Sequence, residues 1–221
     1  WQAEQDALGQ ALAKWERDAL PGRFGKWLET RPAKVEAQFD WTVLGDAEFK
    51  SLNGAGIERR DDGSFLLKGN NPKDDRWVVT ADTSPGAITG IRIEALTDSS
   101  LQKNGPGRAD NGNFSLSDLR VFAEPRDGSG KRVAVKLVNP QATHEQDKGN
   151  LSVASSIDGN KRTSGWAVDR GGIGENQSAA FEFDSPVSHP SGTKLTLELD
   201  FFTNTKHTIG RPRFAITGQP K

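Results

Sequence analysis

Three segments of this chain gather residue types that can bind a ligand, and each reads as a turn or loop. The first is Ser155 to Val168, SSIDGNKRTSGWAV. Here a polar turn, Asp158-Gly159-Asn160, stands a few residues before a hydroxyl, Thr163, and an indole, Trp166. Asp158 supplies a carboxylate, and Asn160 and Thr163 supply carbonyl and hydroxyl oxygens. Oxygens at several points of one tight turn suit a structural Ca²⁺. The alternative is an Asx-turn that holds the loop with no metal. The spacing does not fit an EF-hand, which needs more acidic residues and a distal Glu. Trp166 is either core or a flat apolar platform for a ligand.

The second segment is Leu101 to Asp118, rich in Gly, Asn, Pro and Asp. Gly105, Gly107 and Gly112 permit positive φ, and Asn111-Gly112 reads as a turn. A long loop of this kind is either a binding loop or a packed Ω-loop. Arg108 has the planar fork for a carboxylate or a sugar diol. Alternatively, Arg108 and Asn113 tie the loop to itself. The third segment is Lys206 to Phe214, KHTIGRPRF, which places His207, Arg211 and Arg213 close together. These donors suit acidic or hydroxylated ligands, or a salt bridge to one of the acidic turns.

Other chemistry finds less footing. Gly105-Pro106-Gly107 does not complete a dinucleotide fingerprint, and no phosphate-binding loop motif is present. The three histidines, His144, His189 and His207, lie in separate segments, without a serine-hydrolase elbow or a zincin motif. A pair of carboxylates for glycoside hydrolysis cannot be picked out from 30 acidic residues. Asp61-Asp62 and Asp74-Asp75 fall in turns and are expected to be solvated.

These loops need a scaffold, and the apolar pattern describes it. Residues 1 to about 20 carry Trp1, Leu8, Leu12, Trp15 and Ala19 on one helical stripe. Pro21-Gly22 is expected to end that helix. Residues 22–38 read as a connector with Arg31-Pro32 as a stop. The stripe is expected to bury against another surface. From Phe39 the texture changes to short Val/Ile/Leu/Phe/Trp runs divided by Gly, Asn, Asp and Pro. Strands are expected at 39–44, 55–60, 64–68, 76–81, 87–96, 114–123, 131–138, 178–184, 193–202 and 212–217. Leu195, Leu197, Leu199 and Phe201 alternate cleanly. Asp61-Asp62-Gly63 is a hairpin signal. The pattern predicts an all-β fold: an antiparallel β-sandwich of the jelly-roll kind over 39–221, preceded by an N-terminal helix within the 1–38 lead-in.

Composition narrows the function classes. A net charge of −1 offers no basic field for nucleic acid or an anionic membrane surface. No apolar run is long enough for membrane insertion by a helix. Cysteine is absent, so there is no disulfide, thiolate metal site or cysteine nucleophile. Methionine is absent even at position 1, which reads as a piece of a longer protein. Tyrosine is absent, unusual for a sugar-binding surface. Three of the six tryptophans, Trp1, Trp15 and Trp27, lie in the lead-in rather than among the strands.

The phrases SSIDGNKRTSGW and NFSLSDLRVFA (113–123) resemble galactose-binding-like (discoidin-like) sandwiches. That resemblance implies a structural calcium loop built from Asp158, Asn160 and Thr163, with Trp166 packed behind it. A longer set of phrases is similar to the central region of planctomycete-type surface proteins that carry cytochrome c modules. They are ITGIRIEALTDSSLQKNGPGRADNGNFSLSDLRV, IDGNKRTSGWAV and KHTIGRPRFAIT. It implies export, to the periplasm or cell surface, and neighbouring domains of the parent chain as partners. This segment contains no haem-attachment motif, so no haem is expected in it. The expected function is non-catalytic glycan binding, with Trp77, Arg108, Asn111, Asn113, Trp166, His207 and Arg211 as ligand residues. The alternatives are a structural spacer between neighbouring domains and, as a third class, a hydrolase.

Overall fold

The computed structural model describes residues 1–23, 25 and 40–219. Contacts divide the chain into two units, Trp1–Phe39 and Asp40–Lys221. In the first unit, helix α1 spans Gln2–Asp18. It stops short of Pro21-Gly22. A new helical turn covers residues 20–23, with Pro21 in its first turn, where a missing N–H leaves no bond unmade. Pro21 therefore starts a turn instead of ending the helix. Trp1, Leu8, Leu12 and Trp15 are exposed. Trp27 and the Arg31-Pro32 stop lie outside the described residues.

The second unit is an antiparallel β-sandwich. One five-stranded sheet runs β1 (Thr42–Val43), β14 (Pro212–Thr217), β6 (Ile88–Ala95), β12 (Gln177–Val187), β10 (Leu137–Ala142). The other runs β2 (Glu48–Ser51), β5 (Asp75–Asp82), β13 (Thr193–Phe201), β8 (Asp118–Pro125), β9 (Val133–Val135). Two small two-stranded pairs complete it: the hairpin of β3 (Gly56–Arg59) with β4 (Phe65–Lys68), and the long-range pair of β7 (Ser115–Leu116) with β11 (Trp166–Ala167). From β12 to β14 consecutive strands alternate between the two large sheets. Most neighbours in a sheet are therefore distant in sequence, as in a jelly roll.

Period-two burial explains why these segments are strands. Leu195, Leu197, Leu199 and Phe201 of β13 face Trp77, Val79 and Ala81 of β5 and Leu119, Val121 and Ala123 of β8 across the registers. All of these side chains are buried. The opposite layer contributes Ile91, Ile93, Phe181, Phe183 and Phe214, also buried. Burying each such side chain stabilises by about 1.5–3 kcal/mol. At one end the aromatic rings meet edge to face, Phe49 with Trp77 at 4.9 Å and with Phe65 at 5.3 Å. The imperfect alternation of 87–96 has a local cause. The β6–β12 register shifts between Glu182 and Val187, a bulge that resets which residues face inward. Gly90 lies against that region, where a Cβ would come within 2.9 Å of the Phe181 carbonyl oxygen.

β2 lies outside the expected strands. Its residues Glu48-Phe49-Lys50-Ser51 show only one half-buried apolar side chain, too little for a pattern. The expected 131–138 strand is divided between β9 and β10, which belong to different sheets.

Candidate functional site

The loop around Asp158 is closed by its own hydrogen bonds. One Asp158 carboxylate oxygen accepts the Asn160 N–H at 2.6 Å and the other accepts the Ser164 hydroxyl at 2.9 Å. The Asn160 side-chain carbonyl accepts the N–H groups of Arg162 and Thr163 at 3.1 and 3.2 Å. Its amide donates to the Thr163 hydroxyl. This is the Asx-turn arrangement. Ca²⁺ takes six to eight oxygens, usually several of them carboxylate. Here a single carboxylate is present, and the turn itself engages the oxygens of all three residues. Asp158, Asn160 and Thr163 are thus joined to one another and to Ser164 and Arg162 within the turn. Among the described residues no group of three His, Asp or Glu is arranged to hold a metal.

What the loop delivers is Lys161. Its ammonium lies 3.3 Å from Asp200 and 3.6 Å from Asp118. The Thr203 hydroxyl donates to the Ser164 carbonyl and holds the loop against the end of β13. The strand registers place Arg76, Asp200 and Asp118 side by side on β5, β13 and β8, with Arg120 opposite Glu198. Asp200, fully buried, accepts from Arg76 through both oxygens and from Arg120 Nη2 at 3.0 Å. Arg120 also meets Glu198 at 3.2 Å, and Arg132 meets Glu198 at 2.7 Å. The bond to Asp200 raises the Arg76 pKa, against the opposing effect of burial. Burial holds the Asp118 carboxyl above its usual value, with Arg120 and Lys161 pulling the other way.

Asp118 and Asp200 are the facing carboxylates that sequence reading did not single out. They are 4% and 0% exposed and neutralised by three cations. Groups so enclosed have no path to a glycosidic bond, so the pair braces the sheet. In sequence, DRW, SDLR and ELD are ordinary outward-facing strand charges. Only the register aligns them.

The sequence-predicted ligand residues are engaged internally. Trp77 is fully buried and its indole N–H donates to Asp75 at 2.9 Å. Asp75 is itself buried and also accepts from the Ser51 hydroxyl and the Asn53 N–H, so this residue of the Asp74-Asp75 pair is core rather than solvated. Trp166 is fully buried, edge-on to Phe114 at 4.8 Å, with its N–H on the His144 carbonyl at 2.9 Å. Neither indole offers a ring face to a ligand, which corrects the platform expectation for both. Arg108 donates to the carbonyls of Gly69 and Asn70, both at 2.9 Å. Asn111 donates to Asp169 at 3.2 Å. Asn113 is buried, accepts the Val168 N–H at 3.0 Å and donates to Gln146. The 101–118 loop is thus packed against its neighbours. At Gly107 a Cβ would sit 1.9 Å from the Asn113 carbonyl oxygen. His207 contacts the Thr205 carbonyl two residues away. Arg211 bonds Ser64 and Asp62, each at 2.9 Å, and approaches Asp98 at 3.6 Å. That is the salt bridge to an acidic turn, and Arg213 joins it at 3.7 Å from Asp62.

This clamp has a consequence for acid stability. The Asp98 carboxyl is held below its usual value chiefly by the Ser100 hydroxyl, opposed by burial and reinforced by the Ser100 N–H and Arg211. A depressed folded pKa gives stability that is present above the ordinary aspartate range and lost as pH falls through the folded value. Asp118 acts with the opposite sign. Its raised folded pKa means its contribution declines as pH rises from the ordinary aspartate value through the raised one. Asp98→Asn is therefore expected to flatten the acid limb of a melting-temperature-against-pH curve. An acid limb identical to the parent's would show that Asp98 does not govern it.

A concave surface exists elsewhere in the sandwich. A cleft of about 710 Å³ is lined by residues 42–48, 80–88, 194 and 216–218. Its apolar lining includes Leu44, Ala81, Ile88 and Ile216, all buried. Arg59 fixes one wall by donating to the carbonyls of Gly45 and Ala47. Thr42, Thr80, Ser84, Asp82 and Lys194 also line it, and their side chains make no hydrogen bond or ion pair within the described residues. Sequence reading passed over this region, because Thr-Ser-Pro-Gly at 83–86 is an ordinary turn signal and the lining comes from four separate segments of the chain. Compared with protein-family models, characterised proteins and solved structures, the chain matches none.

Proposed function

We propose that the β-sandwich is a non-catalytic binding module of a larger exported protein and that its ligand is a glycan. The cleft carries this reading. It is a concave surface lined by some apolar residues and by hydroxyl, carboxylate and ammonium groups that have no partner among the described residues. The ligand set read from the sequence does not support it, since those residues hold the fold. The resemblance to exported planctomycete-type proteins supports the extracytoplasmic placement. A screen of the full chain against neutral and acidic polysaccharides, followed by calorimetry, tests the proposal. Binding to at least one class is expected, and silence across both would end it.

The second reading is a structural spacer that positions neighbouring domains. Full burial of Trp77 and Trp166 favours it, as does the bracing of one sheet by the Arg76–Asp200–Arg120 network. A silent glycan screen leaves this reading standing.

A further inference from the structure

We infer that the cleft selects neutral sugars, with Asp82 and Lys194 as its recognition pair. This rests on the glycan-binding reading and adds the ligand class and the residues. Asp82 and Lys194 are direct cross-strand partners on β5 and β13, and directly opposed residues have Cα atoms about 4.5–5.5 Å apart. Both line the cleft, and no ion pair joins them to each other or to any described residue. The contrast with the other half-buried cations, each of which has a polar partner, is informative. Arg76, Arg120, Lys161, Arg211 and Arg213 each meet a carboxylate. Lys194, half-buried, does not. It presents donors and Asp82 presents acceptors, the complementary set that a diol with both O–H groups and lone pairs can satisfy.

Charge sets the class. Asp46, Glu48 and Asp82 line the same cleft against the single ammonium of Lys194. Arg59 stands 3.7 Å from Asp46 and Lys50 stands 3.8 Å from Glu48, so the charges around the cleft balance. A balanced cleft does not repay the desolvation of a uronate or a sulfated sugar. Neutral pyranosides meet no such penalty. Thr42, Thr80 and Ser84 add hydroxyls. No aromatic residue lines the cleft among the described residues, so stacking contributes nothing and single-site affinity is weak. Tight binding would come from several modules on one polymer.

The test is amide chemical-shift titration of the isotopically labelled full chain with methyl pyranosides of glucose, galactose and mannose, and separately with glucuronate and glucosamine. At least one neutral glycoside is expected to move signals from 42–48, 80–88 and 194, with glucuronate weaker or silent because its desolvation is not repaid. Asp82→Asn and Lys194→Ala should each weaken the neutral sugar about tenfold, the size of one hydrogen bond to a charged group. Both sites are on the surface, and an otherwise unchanged spectrum confirms that each variant folds. Equal or stronger shifts with glucuronate, or cleft shifts with glucosamine alone, overturn the neutral class. Neutral-sugar shifts confined to other residues overturn the cleft assignment while the glycan reading survives. Silence with every sugar overturns both.

Discussion

Asp200→Ala is expected to lower the unfolding free energy by about 3 kcal/mol, the lower end of the cost of removing one partner from a buried ion pair. Asp200 has no exposure, and its two oxygens serve Arg76, Arg120 and Lys161. Without it three cations face one another, with only the Asp118 and Glu198 carboxylates left to balance them. Of these, Asp118 is the one burial already disfavours in its charged form. The loss stays at the lower end because the three cations are 35%, 30% and 34% exposed and can turn to water. Domains are stable by about 5–15 kcal/mol, so the loss is a large share of the total. Urea denaturation measures it directly. A loss below about 1 kcal/mol would mean that the network behaves as a surface ion pair and braces nothing.

Trp166→Ala is the second large effect, about 3–5 kcal/mol, as for other fully buried aromatic side chains. Three contributions combine. The indole leaves a cavity beside Phe114. The His144 carbonyl loses its donor. The β7–β11 pairing, in which Trp166 lies opposite Leu116, loses its largest side chain. Trp166→Phe keeps most of the volume and isolates the hydrogen bond, worth about 1 kcal/mol. The same pair of variants separates core from platform. If Trp166→Ala left stability within about 1 kcal/mol of the parent but abolished glycan binding, the ring would be a ligand surface and its core placement would be wrong. The expected pattern is the reverse: a large stability loss in Trp166→Ala, with the affinity of whatever still folds unchanged.

The two predictions differ in how legible their residues were. Trp166 stands in a loop of Gly, Ser and Thr, and its type alone left both core and platform open, with core favoured. Its pairing with Leu116, across 50 residues of chain, decides for core. Gly165 permits that pairing, since a Cβ there would lie 2.6 Å from the Leu116 carbonyl oxygen. Asp200 was hidden for another reason. A charge between Leu199 and Phe201 in an alternating strand reads as solvent-facing. It does face away from the sandwich core, but Lys161, Arg76 and Arg120 close over it. Similarly, Arg108, Asn113 and Arg211 were singled out for their donors. Those donors reach carbonyls and carboxylates on segments that the fold brings alongside.

The strands of 195–201, 76–81 and 212–217 could be read directly from the chain, because alternation of apolar and polar side chains is a local property with a period of two. The same holds for the all-β class and for the lack of a basic field. Register, the closing of Asp200 by three cations and the pairing of Asp82 with Lys194 depend on which distant strands lie together. Only the three-dimensional fold decides that, since most hydrogen-bonded neighbours in this sandwich are distant in sequence and no local pattern encodes their alignment.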